Sequence, residues 1–139
     1  MIECKSFDKL PDDARAIREE VFVREQGFQD EFDDKDSIST HLVFYVDGVP
    51  TGTCRVSWDN QQQSYVIGRV AVRKAFRGNH YGTGLLRAAE KEVRKMGGKA
   101  LALAAQVRVK AFYESLGYTA SGEEFLDEFC PHVWMRKVF

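Results

Sequence analysis

Residues 70–98 read VAVRKAFRGNHYGTGLLRAAEKEVRKMGG. An alternating apolar run ends in basic residues, Gly78, Gly82 and Gly84 follow, and an amphipathic pattern begins. Glycine is costly to order, so a chain keeps it where the backbone must turn tightly or approach something closely. A strand that runs through glycines into a helix start is suited to an anion. The first helical turn leaves backbone N–H groups without partners, and the macrodipole adds partial positive charge there. Without a Cβ in the way, a phosphate can reach the main chain, and Arg77 adds a charged side chain beside it. Two common phosphate loops do not fit. A Walker A loop needs Lys and then Ser or Thr after its last glycine, but Leu85 follows Gly84. The dinucleotide fingerprint needs a third glycine where Arg87 stands. A tight, ligand-free connection fits the glycines alone equally well.

The elements that must position this loop are legible in outline. Residues 1–7 read as a strand. Pro11 opens a helix with Asp12 and Asp13 in its first turn; Ala14, Ile17 and Val21 carry its apolar stripe to about Arg24, and Gly27 ends it. Asp47-Gly48 sits between two β-rich runs and marks a hairpin. Residues 64–73 form the next strand, with Val66, Gly68, Val70 and Val72 on one face and Ile67 and Ala71 on the other. Apolar on both faces, it belongs in the middle of a sheet. Leu85, Leu86, Ala89, Val93 and Met96 form the stripe of the following helix, stopped by Gly97-Gly98. ALALAA is a buried strand, Val109, Phe112 and Leu116 place a helix, and HVWMRKVF is a final strand with a loop before it. The order predicts a mixed α/β layer with helices on both faces of the sheet.

The chain has 139 residues, 44% hydrophobic and 29% charged, a balance that predicts one soluble globular domain over 1–139. A net charge of -1 gives no overall basic field to attract nucleic acid. The charges are unevenly spread. Glu19 to Asp36 holds eight acidic residues and two basic; Arg69 to Lys95 holds eight basic and two acidic. Two solvated faces would explain that, and so would one half that meets an anion and another near a cation. Cys4, Cys54 and Cys130 are odd in number and far apart, which argues against a disulfide framework and a zinc site and suits a cytoplasmic protein. The first ten residues carry no secretory pattern, and no apolar run is long enough for a membrane span.

GRVAVRKAFRGNHYGTGLLRAAEKEVRKMG followed by AFYESLGY resembles the GNAT superfamily of acyl-CoA-dependent N-acyltransferases. The family's pyrophosphate loop maps to Arg77, Gly78, Asn79, His80, Tyr81 and Gly82, in a register set by Leu85 and Leu86. His80 stands where the family has its first glycine. IREEVFVREQG, ALAAQVRVKAFYESLGY and GEEFLDEFCPHVWM further resemble the small ElaA-like and YjcF-like group. The resemblance implies a mixed, mostly antiparallel sheet splayed at the central strand, with acetyl-CoA in the gap and no metal. It implies that Val70, Ala71 and Val72 meet pantetheine, that main-chain amides from Gly78 to Gly84, Thr83 included, hold the pyrophosphate, and that Phe112 lies against the cofactor. An amine would attack the thioester directly in a ternary complex. Tyr113 would be the general acid. Glu25, Glu124, His41 and His132 are the candidates for the base. The acceptor would be a small-molecule or peptide amine, and the acidic Glu19–Asp36 segment would border its site and favour a cationic one.

Two other readings fit the same residues. One is an inactive acyl-CoA-binding sensor. The other is a protein-interaction module or homodimer that uses Phe125, Phe129, Trp134 and Phe139, side chains that suit a core or pocket lining better. Arg69, Arg73, Lys74 and Arg77 suit an ADP moiety better than nucleic acid.

Overall fold

Asp47 and Gly48 both take left-handed dihedrals, at φ +51° and +79°, and join β2 (Thr40–Val46) to β3 (Val49–Asp59). Positive φ at both central residues gives a two-residue turn the twist of its strands. The computed structural model describes residues 1–139. The other strands are β1 (Ile2–Phe7), β4 (Ser64–Val72), β5 (Ala100–Gln106), β6 (Thr119–Asp127) and β7 (Cys130–Val138). All seven join one sheet in the order β1-β2-β3-β4-β5-β7-β6. Every pairing is antiparallel except β4 with β5, which is parallel. The sheet is thus mixed and mostly antiparallel, with β4 at its centre, as the sequence predicts.

Helices cover both faces. Against one pack α2 (Tyr81–Lys95) and α3 (Lys110–Ser115), over a core that includes Leu42, Phe44, Cys54, Ile67 and Leu101. Leu85, Leu86, Ala89 and Val93 of α2 are fully buried there, while Met96 lies past the helix end and is 36% exposed. Against the other face packs α1 (Asp12–Arg18), which buries Ala14 and Ile17 on Val43 and Ala71. The helix predicted to reach Arg24 does continue, but its second half, Glu19–Glu25, is π-helical. The amide of Gln26 donates to the Val21 carbonyl, five residues back. Such wide turns insert an extra residue and recur at functional sites.

Three expectations need correction. Ile67 and Ala71 do not share a face. Arg69 adopts φ +53° and forms a bulge, so three β4 steps from Gly68 to Ala71 oppose two on β3, from Arg55 to Thr53. The inserted residue inverts the alternation; Ile67 faces α2 and Ala71 faces α1. Second, the segment before the last strand is not a loop. β6 pairs with β7 as a hairpin through Glu128 and Phe129. It is an edge strand, exposed along nearly its whole length and bulged between Ser121 and Phe125, so no burial pattern marks it in the sequence.

Third, the two oppositely charged segments are not two separate solvated faces. They bind each other. Arg69 pairs with Glu31 at 3.0 Å, Arg73 with Glu20 at 3.2 Å and Arg77 with Glu25 at 2.7 Å. Behind them Arg18, 1% exposed, donates to Glu31 and Asp36, and Arg55 donates to Asp33 and Asp36. Burial alone would raise the Asp36 carboxyl; hydrogen bonds from Arg18 and Arg55 prevail and hold it down at about 2. A carboxyl depressed in the folded state stabilises the fold above its unfolded value and ceases to do so as pH falls through its folded one. The melting temperature is therefore expected to fall between about pH 4 and pH 2, and Asp36→Asn to flatten that part of the profile, as thermal unfolding against pH would show.

Candidate active site

β4 and β5 pair at only two positions, Tyr65 with Leu101 and Val66 with Ala102. Beyond them β5 stays paired to β7 out to Gln106, while β4 stays paired to β3 out to Val72. The strands separate, and a cleft of about 740 Å³ opens in the gap. Val70, Ala71 and Val72 line its β4 side; Leu103, Ala104 and Gln106 line its β5 side. Gln106 Nε2 donates to Gln26 Oε1 at 2.8 Å, tying the end of β5 to the π-helical segment.

At one end of the cleft lies the glycine loop. Gly78, His80, Tyr81, Gly82 and Thr83 line it. The N–H groups of Tyr81, Gly82 and Thr83 open α2 with no partner and no capping side chain. Gly78 takes φ +87° with open space where a Cβ would stand. His80 takes φ +62°, a left-handed conformation that glycine adopts without cost. That explains a glycine at this position in the family loop and the strain carried here.

Two residues do not reach the cleft. The Gly84 amide donates to the His80 carbonyl, and a Cβ on Gly84 would sit 3.0 Å from the Phe44 ring. This glycine serves close packing of α2 on β2. Asn79 ties its side chain to the Phe76 carbonyl at 3.0 Å. Arg77 is also committed elsewhere: its guanidinium holds Glu25 with two hydrogen bonds, at 2.7 and 2.8 Å, and donates to the Val72 carbonyl at 2.8 Å.

Phe112 and Tyr113 of α3 both line the cleft. A Cβ on Gly82 would lie 3.4 Å from the Phe112 ring, so the loop and α3 nearly touch. Tyr113 is 7% exposed, and burial pushes its phenol well above the ordinary tyrosine value. It therefore keeps its proton at neutral pH.

The base candidates part company. Glu25 is taken by Arg77, whose hydrogen bonds hold its carboxyl below the usual range; a weakened base outside the cleft lining is poorly suited to the task. Glu124 is exposed on β6 and does not line the cleft. His41 is buried on β2 with Nε2 bonded to the Asp36 carbonyl. His132 is 7% exposed and lines the cleft. Its Nδ1 lies 2.9 Å from the Cys130 carbonyl, which can only accept. The proton is thus on Nδ1, and the Nε2 lone pair is free. Glu31, Gln26 and Gln106 also line the cleft, and no spacing in the sequence singles them out. Phe125 and Trp134 line it too, while Phe139 packs on the core.

A splayed sheet with an open-ended helix at one end of the splay is the acyl-CoA-binding arrangement of an N-acyltransferase fold. The acetyltransferase (GNAT) domain family matches residues 9–139. The uncharacterized N-acetyltransferase YjcF of Bacillus subtilis is 35% identical over 128 residues, 90% of each chain. Escherichia coli ElaA superposes with a TM-score of 0.83 at 26% identity, over 99% of both chains. An acyl-CoA N-acyltransferase from Pseudomonas aeruginosa gives 0.82 at 28% identity, again over 99% of both. The chain belongs to the GNAT acetyltransferase family.

His80→Gly relieves the left-handed strain and is expected to raise stability by about 1 kcal/mol. Chemical denaturation of both proteins would check it; a loss of stability would mean that the imidazole makes a contact worth more than the strain.

Proposed function

We propose that this chain transfers an acetyl group from acetyl-CoA to a primary amine, with both substrates bound together and the amine attacking directly. The splay of β4 from β5 carries the reading. It provides a strand whose β5-facing edge has no partner past Val66, a row of free amides at one end, and a titratable side chain from each of α3 and β7 facing the same space. Acetyl-CoA supplies the activated acetyl group as a thioester. Its fit rests on three features: the unpaired edge at Val70–Val72, the amides of Tyr81, Gly82 and Thr83, and the bare Gly82 facing Phe112. The Pseudomonas aeruginosa neighbour is named for an acyl-CoA donor. The charged part of the loop is supplied by main-chain dipoles, since Arg77 is held by Glu25.

The roles of this chain's residues follow from their chemistry. Val70 and Val72 align the donor along β4 through the backbone. A main-chain N–H near Val70 or Ala71 stabilises the oxygen that gains charge as the amine adds, a contribution of about 3 kcal/mol for such a donor. His132 Nε2 takes a proton from the amine. Tyr113 acts as the general acid by presenting its O–H to the departing sulfur. Its raised pKa keeps the phenol protonated, so it donates a hydrogen bond as negative charge accumulates on the sulfur. The three unpaired cysteines fit a cytoplasmic setting, and residues 1–139 act as one domain.

Acetyl-CoA at about a hundred times its dissociation constant should stabilise the protein by about 2.7 kcal/mol, several degrees by thermal shift. Gly82→Trp, which fills the cleft beside Phe112, should abolish the shift. Tyr113→Phe should lower kcat about a hundredfold with little change in the acetyl-CoA shift. His132→Ala should lower the rate most at neutral pH and least at high pH, where the free amine needs no base. An unchanged pH–rate profile would remove His132 from that role.

A further inference from the structure

The half of the cleft away from α2 has features that acetyl-CoA binding does not use. Phe28 stacks on Phe129 with ring centroids 5.1 Å apart. Beside it the Glu128 carboxylate accepts the amides of Gln29 at 3.0 Å and Asp30 at 3.1 Å. These contacts clasp the β6–β7 turn to the loop after the π-helical segment. Within the clasp, Phe125 stacks on His132 at 5.9 Å and on Trp134 at 6.3 Å, and all three line the cleft.

The charges here are unequal once internal pairs are removed. Arg55 is committed to Asp33 and Asp36, and Arg69 to Glu31 and Asp33. Asp30, Asp127 and Glu128 make no ion pair and line the cleft, against Lys35 and Arg108. Glu31 is the decisive group. It lines the cleft but is only 4% exposed. Its Oε2 accepts Arg18 Nε at 2.9 Å and lies 3.0 Å from Arg69 Nε, while Oε1 receives no hydrogen bond from the protein. Since no buried side-chain oxygen of the protein lacks a partner, Oε1 is open to the cleft rather than sealed in the core. A donor arriving through the cleft would satisfy it.

We propose that this half of the cleft selects a cationic primary amine carried on an aromatic body. The rim carboxylate of Asp127, which makes no ion pair, draws the ammonium group, Glu31 Oε1 accepts one of its N–H groups, and the faces of Phe125 and Trp134 hold the ring. The proposal rests on the acetyl-transfer reading and names its acceptor class. An aromatic wall attracts both a flat ring and a cation. An amine that also bears a carboxylate meets the unpaired acids and is disfavoured.

The test is acetyl transfer to three amines at fixed acetyl-CoA: 2-phenylethylamine, cadaverine, and glutamate. 2-Phenylethylamine should exceed each of the others about tenfold in kcat/KM. Glu31→Gln keeps the shape and removes the charge. It should raise the KM for 2-phenylethylamine about fivefold, more than it lowers kcat, while the thermal shift with acetyl-CoA persists. Asp127→Asn, an exposed position on β6, should raise the same KM by a smaller factor and serves if Glu31→Gln fails to fold. Equal kcat/KM for the three amines, or a preference for glutamate, would overturn the proposal. So would an unchanged KM in both variants. The failure of the underlying reading looks different: no thermal shift with acetyl-CoA and no release of free coenzyme A with any amine, which would sink both.

Discussion

The loss of pairing between β4 and β5 past Val66 is the constraint on which the rest depends. A sheet gains by pairing every strand, and an unpaired backbone group that is also shielded from water costs about 1–3 kcal/mol. The chain accepts this because each strand stays anchored on its other side, β4 to β3 and β5 to β7. Each half of the sheet therefore keeps its own hydrogen-bonded pairing up to the gap. The Arg69 bulge sits in the free stretch. It turns β4 over, so that Val70 faces the α2 layer and Ala71 faces α1.

The same bulge aims Arg69 at Glu31 and starts a series. Arg69, Arg73 and Arg77 recur every fourth residue as β4 runs out into the glycine loop, and each takes a carboxylate from the segment that follows α1. The pairs differ in setting. Glu31 is buried, and desolvation raises its carboxyl despite its arginine neighbours; Glu25 is a third exposed, and Arg77 lowers it. Exposed pairs of this kind contribute little stability individually. Their effect is geometric: they hold the segment that carries Phe22 and Gln26 against β4 and the glycine loop. A buried group such as Arg18 is a different matter, since removing one partner would leave an uncompensated charge in the core.

Much of this was legible in the sequence. Asp47-Gly48, the stripe of α2 and the glycine loop are local signals, and local geometry decides them. What escaped was set by contacts distant in sequence. β6 is stabilised by β7 alone and shows no burial rhythm. The bulge at Arg69 depends on pairing with β3, so Ile67 and Ala71 seemed to share a face. The paired charge segments read as two fields because sequence cannot show that Glu25 meets Arg77 across 52 residues. Among the site residues, the tyrosine of FYESLGY and the first-turn amides of α2 lie on the cleft, as does His132, while Gly84 proved to be a packing residue and Glu25 a partner of the loop arginine.

On the proposed reading, the open edge of β4 and the first turn of α2 form one binding surface for coenzyme A. Amide resonances of the isotopically labelled protein, followed during titration with coenzyme A, address it residue by residue. The largest shifts are expected at Val70–Val72 and at Tyr81, Gly82 and Thr83, with little change at the distant turn around Asn60. Shifts confined to other surfaces, or none at saturating coenzyme A, would contradict that reading.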